Sequence, residues 1–207
     1  MLPALMLAAV LSGASPDPLD SAIERYRSVE SYRVTLHSLH ADGEEHIRYY
    51  YRKPGFVRME FIRPHEGAVL VYSPLTKRAR LWPFGISHFP ELDLSPGNLL
   101  IQSPRGQHVD RSDVGTLYEN VRMLRANGDT EVVGEENVGA HAARHLAVTG
   151  AGDSAVAGVH RYELWLDIES QFPVKVVSRD RKNDIIETVT MEALEINVVL
   201  PESLFNP

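Results

Sequence analysis

The sequence predicts a mainly β chain with α+β character, built on a single antiparallel sheet of about eleven strands. Three observations carry this. β-Rich stretches recur at short spacing both before and after residue 113; turns containing Gly, Pro, Asn or Asp separate them; and nowhere do strand and helix patterns alternate as parallel pairing would require. Two amphipathic helices and one loop rich in Pro and Gly remain to cover one face of the sheet.

In chain order, the first feature is an apolar run. Leu2 to Leu11 carry no charge, the run is shorter than the ~20 residues that span a bilayer, and Ser12 and Ala14 satisfy the small-x-small rule for signal cleavage. Residues 1–14 are therefore expected to be a secretory signal cut after Ala14, with residues 15–207 as one domain. The basic region usual in a signal is reduced to the α-amino group of Met1. A short helix follows: Asp17 stands at its N-cap, Pro18 at its first turn, and Leu19, Ala22, Ile23, Tyr26 and Val29 form one apolar stripe.

Strands come next, over 32–37, 47–52, 56–62, 68–72 and 78–82, with turns at Asp42-Gly43, Pro54-Gly55, Pro64 to Gly67 and Ser73-Pro74. If Lys53, Pro54 and Gly55 form a hairpin loop, Tyr51 faces Val57, Tyr49 faces Met59 and Ile47 faces Phe61, while Arg48 meets Glu60 and Tyr50 meets Arg58 on the other side. One register thus gives an apolar face and a complementary polar face, and a slip by one residue would mix them. Residues 84–112 read as a long loop with short helical turns, packed through Phe89, Leu92, Leu99, Leu100 and Ile101. Val114, Leu117, Tyr118, Val121 and Leu124 then recur as a second helix, with Ser112 at the expected N-cap and Asn127-Gly128 as the stop. Strand patterns resume at 131–133, 145–149, 162–167, 174–177, 185–191 and 194–199.

Composition narrows the function classes. With 43% hydrophobic and 24% charged residues the chain is an ordinary globular protein, and a net charge of -7 argues against nucleic acid or anionic membrane surfaces as the main partner. No Cys is present, so neither disulfides nor a lipid-bearing Cys are expected, and an exported chain should be soluble outside the inner membrane. No Walker A, G-x-S-x-G or H-E-x-x-H motif occurs, and Gly150-Ala-Gly152 lacks the third Gly of a dinucleotide fingerprint. His141 and His145 in extended chain would sit roughly 13 Å apart, and His37 and His40 would face opposite ways, so no metal is expected. Glu135-Glu136 point to opposite faces, Asp110 and Asp113 suit a helix start, and Lys77 to Arg80 suit a solvated edge. No enzyme and no cofactor is expected.

The apolar content of one face asks for a role. A sheet this wide must curl, and its concave side is then either filled by the helices or left as an elongated cavity. Inward residues are expected to include Ile47, Tyr49, Tyr51, Val57, Met59 and Phe61 from the first meander, and Tyr162, Leu164 and Leu166 from the second.

Several segments in order, Tyr51 to Glu60, Gly67 to Pro74, Leu164 to Lys175 and Leu200 to Phe205, resemble the outer-membrane lipoprotein-sorting proteins of the LolA-like superfamily. The resemblance implies a half-open barrel whose helices and loop lid an apolar concave face. It further implies a periplasmic carrier or binding protein for lipoprotein or phospholipid acyl chains, a monomer working between an inner-membrane donor and an outer-membrane acceptor. The alternative it implies is an RseB-like sensory domain that reads lipid signals and binds a membrane partner. Residues 84–126, with Leu117 and Val121, would be the lid. Where the carriers place a lid-controlling Arg before the hairpin Pro, this chain has Lys53, which lacks the planar fork of Arg. Tyr72-Ser-Pro-Leu-Thr-Lys77 replaces the family's Asp-Gly turn, which points to a divergent branch.

Overall fold

The computed structural model describes residues 17–207; the expected signal lies outside the described residues. Helix α1 (Pro18–Tyr26) begins as its sequence dictates, with the Asp17 carboxylate accepting from the backbone N–H of Leu19 at 2.9 Å and of Asp20 at 3.1 Å. It buries Leu19 and Ala22 against the sheet. Strands β1 (Ser31–His40), β2 (Gly43–Arg52), β3 (Phe56–Arg63), β4 (Val69–Ser73), β5 (Arg78–Trp82) and β6 (Leu92–Leu94) form a first meander. After α2 (Val114–Arg125), strands β7 (Asp129–Val138), β8 (His141–Thr149), β9 (Arg161–Asp167), β10 (Pro173–Arg179) and β11 (Ile185–Ile196) form a second.

The two meanders join side by side at β1 and β11, giving one 11-stranded antiparallel sheet in the order β6-β5-β4-β3-β2-β1-β11-β10-β9-β8-β7. Strands β6 and β7 remain its two edges, so the sheet is curved but not closed. The β2–β3 register is the one the hairpin argument predicts: Ile47 faces Phe61, Tyr49 faces Met59 and Tyr51 faces Val57. Both helices and the 95–112 connection cover the concave side, where Leu19, Tyr32, Tyr49, Tyr118, Val121, Leu146 and Leu164 form the main core. A smaller cluster of Val69, Val71, Trp82, Leu200 and Phe205 lies apart from it.

Three local expectations are corrected. Leu92 to Leu94, assigned to the loop, pair with β5, fastened by Arg78 bonding both the Asp93 carboxylate at 2.8 Å and its carbonyl at 2.9 Å. The stretches assigned to two final strands are instead the single β11: Arg33 faces Glu195 while Thr35 faces Glu192, and the extra residue is absorbed in a bulge with Ala193 at φ +50. The strand count survives because these two differences offset one another. The N-cap of α2 is Asp113, not Ser112; the Asp113 carboxylate accepts from the Gly115 N–H at 2.8 Å, whereas Ser112 donates to the Val109 carbonyl. Within the long connection only part of the expected packing occurs, since Phe89 is 92% and Leu99 84% exposed while Ile101 joins the core. Where α2 ends, Gly128 crosses so close to the Thr149 carbonyl that a Cβ would lie 2.1 Å from it, so the helix-to-β7 crossing requires glycine.

Candidate functional site

The concave side is filled at one end and hollow at the other. Under α1 and α2, side chains close the space: Tyr51, Val57, Leu164 and Leu166 lie in the packed core and line neither cavity, and Val121 of α2 is fully buried there. Toward the other end two adjoining cavities remain, of about 170 Å3 and about 260 Å3. The first lies between Ile47, Tyr49, Met59 and Tyr162 of the sheet and Leu117 and Asn120 of α2. The second lies between Met59, Phe61, Leu70 and Leu81 and the Leu99–Ile101 turn above them. Ile47, Met59, Gln107 and Ser112 border both, so the two spaces share a wall. Leu100, 70% exposed, stands at the rim of the second.

Alternation along the strands makes this lining. Glu45, Ile47 and Tyr49 on β2 point the same way, as do Glu187, Val189 and Met191 on β11, and all six border the first cavity. Its polar atoms are largely satisfied by one another. Ser112 spends its proton on the Val109 carbonyl, so the Tyr49 hydroxyl, 3.0 Å away, donates to the Ser112 oxygen. The Tyr32 hydroxyl accepts the N–H of Val114 at 3.2 Å. Burial first, then nearby phenols and Asp113, pushes Tyr32 far above its ordinary pKa, and burial does the same to Tyr49, so this layer is neutral.

At the far end Arg105, from the covering loop, meets Glu187 at 2.8 Å, and Glu187 accepts a second bond from the Ser38 hydroxyl at 2.7 Å. This half-buried pair ties loop to sheet across the first cavity. Beside it the Glu45 carboxyl is raised, chiefly by burial, with Glu187 adding repulsion and His40 and His65 opposing. Lys53 lies elsewhere, donating to the Arg27 carbonyl at 2.7 Å and to Glu30 at 3.0 Å; it fastens the chain that leaves α1 rather than the 84–126 segment.

Arg105, Glu187 and Glu45 were not singled out from sequence. Glu45 had a readable signal, its two-residue offset from Ile47; the Arg105–Glu187 pair had none, since 82 residues separate its members. His141 and His145 do not form a joint site: His141 bonds Asp167 at 3.0 Å, while His145 stacks on Trp165 with ring centroids 4.0 Å apart and meets Glu163. Among the described residues no helix is long and apolar enough to cross a membrane.

These features define a half-open β-barrel with a covered but incompletely filled hollow. No protein-family model matches the chain, and no curated protein does. Solved structures do. An uncharacterized conserved protein of Thermus thermophilus shares 15% identity at TM-score 0.57, covering 92% of this chain and 94% of that one. MucB of Pseudomonas aeruginosa, solved with MucA, shares 19% identity at TM-score 0.59 over 91% of this chain, which spans only 59% of the solved MucB chain. The Mycobacterium tuberculosis lipoprotein LppX shares 8% identity at TM-score 0.54, covering 89% and 95%. The chain thus shares the fold of these solved structures, at sequence identities of 8–19%.

Proposed function

We propose that this chain is a periplasmic carrier or binding protein that shelters acyl chains of lipoproteins or phospholipids in the hollow of its sheet, with no covalent step. The observation that carries the reading is the pair of adjoining cavities, walled by Ile47, Met59 and Phe61, with the exposed Leu100 at the rim. Each methylene moved out of water is worth about 0.8 kcal/mol, so part of one chain suffices for measurable affinity. The Tyr49–Ser112 and Arg105–Glu187 bonds already pair these four groups of the lining, so a hydrocarbon entering beside them leaves them paired. Residues 1–14 serve as the export signal, and the 84–126 segment with Leu117 acts as lid; Val121 anchors its helix. A monomer would load at an inner-membrane donor and release to an outer-membrane acceptor. The resemblance of segments 51–60, 67–74 and 164–175 to lipoprotein-sorting proteins supports the reading.

A second reading, a sensory domain with a membrane partner, is favoured by the match to MucB, which was solved in complex with MucA. Organic extraction of the purified protein with mass spectrometry separates these. A carrier yields stoichiometric phospholipid or acylated peptide, and Met59→Asp, at the wall shared by both cavities, abolishes it while the circular dichroism stays native. Leu164→Ala, in the closed core, should lower stability and leave bound lipid in place. An empty extract together with no uptake of a fluorescent fatty acid refutes the carrier; lipid-sensitive capture of one membrane protein would establish the sensor.

A further inference from the structure

On the opposite face of the sheet the β1–β2 hairpin brings together three groups that the hollow does not use. His37 on β1 pairs directly with His46 on β2, and Glu44 lies two residues from His46 on the same strand, so all three side chains project on one side. Because Glu45 and Ile47 line the cavities, that side is the convex one. The ligand atoms of His37, Glu44 and His46 lie within 4.8 Å of one another. The Glu44 Oε1 stands 3.0 Å from the His37 Nε2 and 2.8 Å from the His46 Nε2, and the two rings meet edge to face with centroids 4.2 Å apart.

Those short separations are ion-pair distances without hydrogen-bond geometry. Both Nε2 atoms are shielded from solvent and neither has a hydrogen-bond partner of acceptable angle. Buried polar atoms left this way are costly, and here two of them converge with a carboxylate oxygen. Ligands of a tetrahedral zinc ion at 2.0–2.1 Å stand ~3.3 Å apart. Opening the present spacing by a few tenths of an ångström, through rotation of side chains that are a third to a half exposed, would admit an ion.

We infer that His37, Glu44 and His46 bind a divalent transition metal of the zinc class, on the outside of the sheet and independently of the hollow. Two imidazoles and one carboxylate are a borderline donor set that suits Zn2+, Cu2+ or Ni2+ better than Ca2+ or Mg2+. Three protein ligands leave a coordination position for water or for a donor group from another molecule. Metal bound here also staples β1 to β2 near their turn, so it stabilises the hairpin that carries Glu45 and Ile47 on its inner face. The sequence expectation of no metal weighed His37 against His40, which does sit on the other side; the true partner of His37 is across the strand pair.

The test is calorimetric titration of the whole chain with Zn2+ alone at neutral pH, with Co2+ as a spectroscopic substitute. Expected are saturable binding of a single equivalent, a rise in Tm with Zn2+, and visible Co2+ absorption of a low-coordinate site. His37→Ala and His46→Ala should each weaken binding about tenfold or more, and Glu44→Gln should weaken it less. These changes lie on a hairpin surface, and Tm without metal checks that each variant folds. The paired variant His141→Ala with His145→Ala should bind as the parent does. Absence of saturable binding, or binding that persists in both His37→Ala and His46→Ala, overturns the assignment.

Discussion

Glu45 shows what a single charge does at the edge of an apolar hollow. Burial raises its carboxyl, Glu187 raises it further, and His40 and His65 pull the other way. Between the ordinary carboxylate pKa, about 4.3, and the raised folded value, the native state holds more protons than the unfolded chain. Stability contributed here is therefore full below that window and declines as pH rises through it. Glu45→Gln should accordingly raise Tm at neutral pH, with the gain shrinking toward pH 4 in a thermal-melt series. Glu163 and Asp167 have the opposite sign. Burial alone would raise Glu163, but Arg179 at 2.6 Å, with Arg161 and His145, holds it below the usual range. Asp167 is held down by the backbone and hydroxyl of Ser170 and by His141 against its own burial. Their contribution is present above the unfolded pKa and lost as pH falls through the folded one. Glu163→Gln should cost ~1–3 kcal/mol at neutral pH by urea unfolding, and that deficit should vanish in acid, where the parent has lost the same interaction.

Among the elements, α2 carries the cover and Asp113 sets where it starts. Its carboxylate accepts from the Gly115 N–H and the Thr116 hydroxyl, both at 2.8 Å, and from the Tyr26 hydroxyl at 3.1 Å, so one side chain caps α2 and ties it to α1. Asp113→Ala should cost ~1–2 kcal/mol in chemical unfolding, the range for losing an N-cap. Arg105 is the loop's counterpart. Arg105→Ala leaves Glu187 half-buried without its cation and frees the loop, so limited proteolysis within residues 95–112 should quicken and acyl exchange with it; unchanged rates would show that the loop does not gate the hollow. Elements of this kind were legible from sequence to different depths. The β2–β3 register could be read because Lys53, Pro54 and Gly55 fix the turn and both faces then agree. The preceding hairpin could not: Asp42-Gly43 marks a turn, but the turn sits on Ala41-Asp42, with His40 opposite Gly43. That one-residue choice decides that His37 meets His46. Apolar content alone told which strand faces line a core, yet not where the core ends and the cavities begin, because helix placement decides that Leu164 is packed while Met59 borders open space.

At the scale of the whole molecule, a half-open sheet has a mechanical difficulty: two meanders meet along one seam, β1 against β11, and both far edges are free. The helices brace the concave side. On the outside a strap of chain after β11 braces the first meander, and its residues 200–205 gave no strand or helix period to read. Leu200 and Phe205 pack on Val69, Val71 and Trp82, although more than a hundred residues lie between them in sequence. Arg58, itself buried, donates to the Leu204 carbonyl at 2.8 Å, Arg80 donates to the Phe205 carbonyl at 3.2 Å, and the Arg52 guanidinium lies 4.7 Å from the Phe205 ring centroid. Every one of these contacts reaches β2, β3, β4 or β5, whose inner faces wall the second cavity. Phe205→Ala should therefore cost ~3–5 kcal/mol, the usual loss for a buried aromatic, and the loss should be uneven. Amide hydrogen exchange should quicken first in β4, β5 and β6, the edge that no other strand supports, while β8 to β10 keep their protection. Uniform loss of protection across both meanders would instead mean that the seam, not the strap, limits the opening of the sheet.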